Sequence, residues 1–132
     1  MTRYLLDTDT LIDFSRGWEP TPSRVLQLIE AGDVLGMCAI NVTEFYSGVP
    51  EENRIIWDDF FASLTYWEIS RRAATRAGRA RFIAARKGHA LATADAIIAA
   101  VARENKATIL TSNVKDYTIQ GVSVGSLRDE GT

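Results

Sequence analysis

Oxygen donors recur along this chain where a folded sheet could collect them: Asp7, Glu44 and Asp95, then Asn113 and Asp116 close together. Nitrogen and sulfur donors are scarce. The single histidine, His89, cannot build a zinc site, and the single cysteine, Cys38, lies in an apolar run where a thiol behaves as a small buried hydrophobe. Each acid taken alone has a structural explanation. Asp7 to Thr10 can cap a helix, Asn41 with Glu44 three residues on resembles a capping box, and Asp95 in a helix's first turn is favoured by the macrodipole. Convergence would change that reading. Several carboxylates on one rim raise one another's pKa unless a cation stands among them, and oxygen donors alone suit Mg²⁺ or Mn²⁺. A carboxylate-held metal can activate water and stabilise a leaving oxygen, which is phosphodiester chemistry.

Whether the acids meet depends on the elements between them. Arg3-Tyr4-Leu5-Leu6 reads as a buried strand that stops at Asp7-Thr8-Asp9-Thr10, and Leu11-Ile12-Asp13-Phe14 begins an amphipathic helix. The prolines of Trp18-Glu19-Pro20-Thr21-Pro22 break that helix; Pro22 suits the first turn of a second, with Val25, Leu26, Leu28 and Ile29 as its apolar face and Gly32 as its stop. Val34 to Ile40 is a second strand, and a third helix runs from Asn41-Val42-Thr43-Glu44 to Gly48-Val49-Pro50. Ile55, Ile56, Phe60 and Leu64 then recur at helical spacing, with Asp58 and Asp59 facing water. Leu64 to Trp67 is a short strand candidate. A helix from about Ser70 to Lys87 follows, then one over Ala94 to Asn105 with Thr93 as its cap; Thr108 to Leu110 is a strand, Thr111 to Tyr117 a polar turn, and Val122 to Val124 a last strand. Strands separated by helices in a chain of 132 residues, 46% of them hydrophobic, predict one domain over residues 1–132: an α/β three-layer sandwich with a mainly parallel central sheet. In such a sheet Asp7, Glu44, Asp95, Asn113 and Asp116 each fall at a carboxyl strand end or a helix N-terminus, so all can reach one rim.

The net charge of −2 hides an asymmetry. Residues 1–68 hold 12 acids against 4 bases, a net of −8, whereas residues 69–132 hold 5 acids against 11 bases, a net of +6. Arg71, Arg72, Arg76, Arg79, Arg81, Arg86 and Lys87 fall in a stretch with no acid, which suits phosphates or an acidic protein segment. A lone cysteine permits no internal disulfide, no apolar run approaches the roughly 20 residues of a membrane span, and no signal-peptide core opens the chain; a cytoplasmic protein away from membranes is expected.

At these residues the chain resembles the PIN-domain ribonucleases, and among them the VapC-like toxins of type II toxin–antitoxin pairs. The matching pieces are Leu5-Leu6-Asp7-Thr8-Asp9-Thr10-Leu11-Ile12; Asn41-Val42-Thr43-Glu44-Phe45 with Gly48; Ala85-Arg86-Lys87-Gly88 leading to Asp95-Ala96-Ile97-Ile98-Ala99-Ala100; and Thr111-Ser112-Asn113-Val114-Lys115-Asp116-Tyr117. They stand in the family's order and span almost the whole chain. The resemblance implies a PIN-like fold and a metal-dependent endoribonuclease whose Mg²⁺ or Mn²⁺ ligands match Asp7, Glu44 and Asp95. A fourth position lies near Asn113 or Asp116; where the family's acid falls two residues after the threonine, this chain has Asn113. It implies RNA as substrate, a homodimer, and a cognate VapB-like antitoxin that covers the active site. RNA or antitoxin contacts are expected from Arg72, Arg76, Arg79, Arg86 and Lys87.

Other readings compete. Asp7-Thr8-Asp9-Thr10-Leu11 also matches the nucleophile loop of haloacid-dehalogenase-like phosphatases, but after Lys115 only Asp116, Asp129 and Glu130 remain to supply the later acidic pair. Gly121-Val122-Ser123-Val124-Gly125 matches a hydrolase nucleophile elbow in letters only, since no histidine follows. A receiver module needs its acceptor after a central strand, and Asp58 and Asp59 sit in a helical pattern. A non-catalytic PIN-like module that binds RNA or a partner is the remaining alternative.

Overall fold

The computed structural model describes residues 1–118 and 120–128. The element order is β1 (Arg3–Leu6), α1 (Thr8–Ser15), α2 (Thr21–Glu30), β2 (Val34–Met37), α3 (Ala39–Tyr46), a 3₁₀ turn (Glu51–Asn53), α4 (Arg54–Ala62), β3 (Thr65–Tyr66), α5 (Arg71–Arg86), α6 (Thr93–Glu104), β4 (Thr108–Leu110), α7 (Val114–Thr118) and β5 (Val124–Gly125). The strands form one parallel sheet in the order β3-β2-β1-β4-β5. From β1 the chain winds outward through β2 and β3, then crosses back to build β4 and β5 on the other side. That reversal opens a crevice at the carboxyl ends of β1 and β4, the position at which open α/β sheets bind ligands.

Period-2 alternation along the strands makes the three layers. Leu5 and Ile109, paired across β1 and β4, point into a core shared with α5 and α6 through Ala73, Ala77, Ile98, Val101 and Ala102. Their neighbours Leu6 and Leu110, also paired, point to the opposite core with Leu11, Val25, Phe45 and Phe61. Small residues let α5 approach α6 closely, and Ala73 and Ala77 are almost completely buried there.

Several helix faces differ from the sequence expectation. On α4, Ile55 and Ile56 are exposed (75% and 64%), while Phe61 is buried and Phe60 stacks on Phe14 at 4.7 Å between centroids. The 3₁₀ turn shifts the start of the helix to Arg54, so the inward stripe becomes Trp57, Phe60, Phe61 and, just beyond the helix, Leu64. On α2, Val25 is buried and Leu28 packs against the core, but Leu26 and Ile29 face outward; a single stripe meets α1 and the sheet. Asn41 is not the cap of α3: Cys38 is, and Asn41 at the third helical position accepts from the Cys38 backbone N–H at 3.0 Å. Thr93 is the first residue of α6, after Ala92, which makes no side-chain cap bond. The expected polar turn contains the helix α7, and the last strand falls at Val124–Gly125. Asp129 and Glu130, weighed above for a phosphatase, lie outside the described residues.

Two long-range contacts fix the sheet's flanks. Trp67 closes over β2 at Gly36, where an added Cβ would stand 2.7 Å from the indole ring and 2.8 Å from the Thr65 carbonyl oxygen. Asp13, buried in α1, accepts a two-pronged bond from the Arg128 guanidinium at 2.6 and 2.8 Å. Two glycine substitutions therefore have opposite expected outcomes. Gly36→Ala forces indole or backbone to shift and lowers unfolding stability by about 1–3 kcal/mol. Gly78→Ala, on a face of α5 where nothing lies within 4 Å of the new Cβ, raises it by about 0.5–1 kcal/mol. Urea denaturation of both variants checks the pair.

Candidate active site

Asp7 is the first residue past β1, and its backbone N–H still bonds to the Leu110 carbonyl at 3.0 Å, as an extension of the β1–β4 ladder. The side chain is consequently buried at the switch point, 7% exposed. Its Oδ1 caps α1 by accepting from the Thr8 backbone N–H at 2.9 Å, so the structural role anticipated for it is real. Two further donors exceed what a cap needs. The Asn41 amide Nδ2 reaches Oδ1 at 3.3 Å, and the Tyr117 hydroxyl reaches Oδ2 at 3.0 Å.

Asp95 enters from the first turn of α6, half-buried, with its Oδ1 at 3.3 Å from the same Tyr117 hydroxyl. Asp7 and Asp95 are thus joined through one phenolic oxygen. Glu44, exposed on α3, accepts from the Thr8 hydroxyl with its Oε1 at 2.6 Å, a bond between α3 and the start of α1. Asp116 lies exposed on α7. Among the described residues no three acidic, histidine or cysteine side chains stand close enough together to grip one ion, a looser grouping than the expected tight cluster. Like charges repel, and hydroxyl donors draw Glu44 and the Asp7–Asp95 pair to different partners.

Asp9 does something the sequence did not disclose. Its carboxylate accepts from the Ser112 backbone N–H at 2.9 Å, the Ser112 hydroxyl, and the Thr111 hydroxyl at 3.3 Å, with the Asn113 amide at 3.5 Å. Asp9 therefore binds the turn after β4 to the start of α1. Asn113 is drawn toward that turn, also donating its backbone N–H to Thr111 Oγ1 at 3.0 Å, whereas Asp116 shares a cleft with Asp95. Asn41 and Tyr117 are likewise contacts that the sequence reading missed as site residues. Asn41 carried a signal, a polar residue in an apolar run; Tyr117 looked like core.

The electrostatics follow from burial and from shared negative charge. Burial, with added repulsion from Asp9, pushes the Asp7 carboxyl up to about 6, against the lowering effect of the Thr8 bond. Asp95 is raised too, first by burial, then by the charge of Asp116 and further by Glu44. The Tyr117 hydroxyl, buried and facing two acids, is pushed far above its ordinary range and stays a neutral donor.

In front of this rim lies a cleft of about 1080 Å³ between α5, α6 and α7. Asp95 and Asp116 form its acidic edge, and Arg76, Arg79, Lys87 and Arg103 line its walls. Of the bases expected to bind a partner, Arg76, Arg79 and Lys87 face this cleft; Arg72 does not line it, and Arg86 instead lies over the exposed Phe82 ring at 4.2 Å. The donor set fits a hard divalent cation: all-oxygen and acidic, with Asp7 and Asp95 raised in pKa first by burial and then by neighbouring negative charge. Among the described residues no helix is long and apolar enough to cross a membrane.

The PIN-domain profile matches residues 4–117. No curated protein matches the chain. Solved structures do. The VapBC2 structure from Rickettsia felis, bound to a promoter DNA fragment, has a chain 21% identical, with 95% of this chain and 98% of that one covered and a TM-score of 0.80. DNA-bound VapBC from Salmonella typhimurium gives 25% identity, coverage of 96% and 99%, and a TM-score of 0.79. A toxin–antitoxin complex from Klebsiella pneumoniae gives 25%, 86% and 89%, and 0.65.

Burying Asp7 as an anion has a cost that a substitution exposes. With its carboxyl at about 6 in the fold against an ordinary 3.8, the protonated form is the one the fold favours. That stabilising contribution is complete below the ordinary value and is lost as pH rises through about 6. In a chelating buffer at pH 7.5, Asp7→Asn is expected to stabilise the protein by about 1–3 kcal/mol, roughly the 1.4 kcal/mol per pKa unit of the charge it removes. The advantage should shrink steadily between pH 7 and pH 4. Thermal melts of parent and variant across that range measure it.

Proposed function

The chain belongs to the PIN-domain family, and from that premise we propose that it is a metal-dependent endoribonuclease that serves as the toxin of a toxin–antitoxin pair. The observation that carries this reading is the shared cleft: acids at one edge, Arg76, Arg79 and Lys87 along the walls. Asp7, Glu44, Asp95 and Asp116 are the residues that would hold Mg²⁺ or Mn²⁺. Such an ion, when bound, supplies a Lewis acid for the phosphate and lowers the pKa of attacking water. The chain's own part is to bring the phosphodiester there. Arg76, Arg79 and Lys87 neutralise phosphates along the cleft and fix the strand's register. Asn41 and Thr8 hold one oxygen of Asp7, leaving its orientation little freedom.

Asp116 is favoured over Asn113 as the fourth position because it lines the cleft with Asp95 and its charge is felt there. Asn113 faces Asp9. The tie between Asp9 and the Thr111–Asn113 turn also weighs against a haloacid-dehalogenase-like phosphatase, whose second aspartate must be free to move a proton. A VapB-like antitoxin as partner, a homodimer and a cytoplasmic location complete the proposal; the VapBC complexes among the similar folds support the partner.

Purified protein should cleave a mixed single-stranded RNA pool with Mg²⁺ or Mn²⁺, lose that activity in EDTA, and leave small phosphomonoesters intact. Asp95→Asn and Asp116→Ala are expected to lower the rate by at least ~100-fold with the melting temperature retained, and Asn113→Ala only moderately. RNA binding without cleavage in every metal would instead identify a binding module. Separately, RNA affinity should fall steeply with salt, and Arg76→Glu should flatten the log–log slope by about 1, measured by fluorescence anisotropy at several salt concentrations.

A further inference from the structure

Tyr117 presents an arrangement that ordinary core packing does not call for. Its ring belongs to the buried cluster with Leu5, Ala96, Ala99 and Ile109, and the residue is 1% exposed. A tyrosine in such a core needs a hydrogen-bond partner for its hydroxyl, and a single acceptor would satisfy it. Here the hydroxyl stands 3.0 Å from Asp7 Oδ2 and 3.3 Å from Asp95 Oδ1, one proton shared between two acids from different elements. The packed ring sets where that oxygen lies, and so sets where both carboxylates can be.

We propose that Tyr117 is a positioning residue that spans Asp7 and Asp95 and thereby sets how tightly the rim grips a divalent cation. This rests on the metal site proposed above. Each carboxylate has further lone pairs for a metal, so the hydroxyl need not leave when an ion is bound. Partners that hydrogen-bond to ligating carboxylates fix their orientation, and losing one commonly costs 10–100-fold in metal affinity. Phenylalanine at this position keeps the ring and its packing and removes only the shared donor.

The test is calorimetric titration of Mn²⁺ into the full chain and into Tyr117→Phe, with no RNA present, and circular dichroism to verify that both are folded. The expected result is a Kd raised about 10-fold or more in the variant. A second comparison guards against a general loss of structure: in an Asp95→Asn background, removing the hydroxyl should change the Mn²⁺ Kd much less than in the parent, because one end of the span is already neutral. A parent that binds Mn²⁺ and a Tyr117→Phe variant that binds it equally well or better overturns the role of Tyr117 and leaves the metal site standing. A parent that binds no Mn²⁺ overturns the metal site itself, and this inference with it. Equal losses in both backgrounds would mean that the hydroxyl acts through the fold rather than through the pair, and would also overturn it.

Discussion

A carboxylate buried at the seam of a parallel sheet is the constraint on which the rest of this structure turns. Asp7 must be there because the β1–β4 ladder continues through its backbone, and once there it has little water to solvate its charge. The protein compensates with one local donor, Thr8 at the start of α1, and two from distant stretches, Asn41 after β2 and Tyr117 after β4. Those donors can meet only if β2 and β4 flank β1, so strand order and site are one problem. The compensation is incomplete, as the elevated Asp7 carboxyl records. A site that keeps an anion under tension in this way gains more from a cation than a relaxed site would.

The architecture and the strand-end position of Asp7 were legible in the sequence because each is written locally. Strand-then-acid at Leu5-Leu6-Asp7, the proline-started α2 and the alanine stripe of α5 need no knowledge of what lies across the sheet. Faces of α2 and α4 were harder. Leu26, Ile29, Ile55 and Ile56 have the same chemistry as their buried neighbours, and only the angle at which a helix meets the core decides which turn inward. What stayed hidden were roles defined by partners about a hundred residues away. Asp9 looks like Asp7 in sequence, yet one ties a turn and the other enters the site. Tyr117 is indistinguishable from core until its hydroxyl is seen between two acids.

Charge is divided along the chain in a way the topology then uses. The acidic first half supplies β1, β2 and their helices, with Asp7 and Glu44; the basic second half supplies α5 as a wall. Folding α5 beside α6 brings Arg76 and Arg79 into one cleft with Asp95 and Asp116. Asp95 and Asp116, the acids that line the cleft, also come from the second half, while Asp7 and Glu44 are supplied to the rim by the first.

The five residues of α7 bear on how such a protein can change over evolutionary time. Consecutive helical residues point about 100° apart, so burying Tyr117 against the core fixes the direction of Asp116 beside it. Surface turns generally absorb insertions and deletions freely. This one sits between Asp9's anchor at Ser112 and the inward Tyr117, and a single residue gained or lost there would turn either the aromatic or the acid the wrong way. Length variation among descendants of this sequence should thus collect elsewhere, while the stretch from 112 to 117 drifts in letters but not in count.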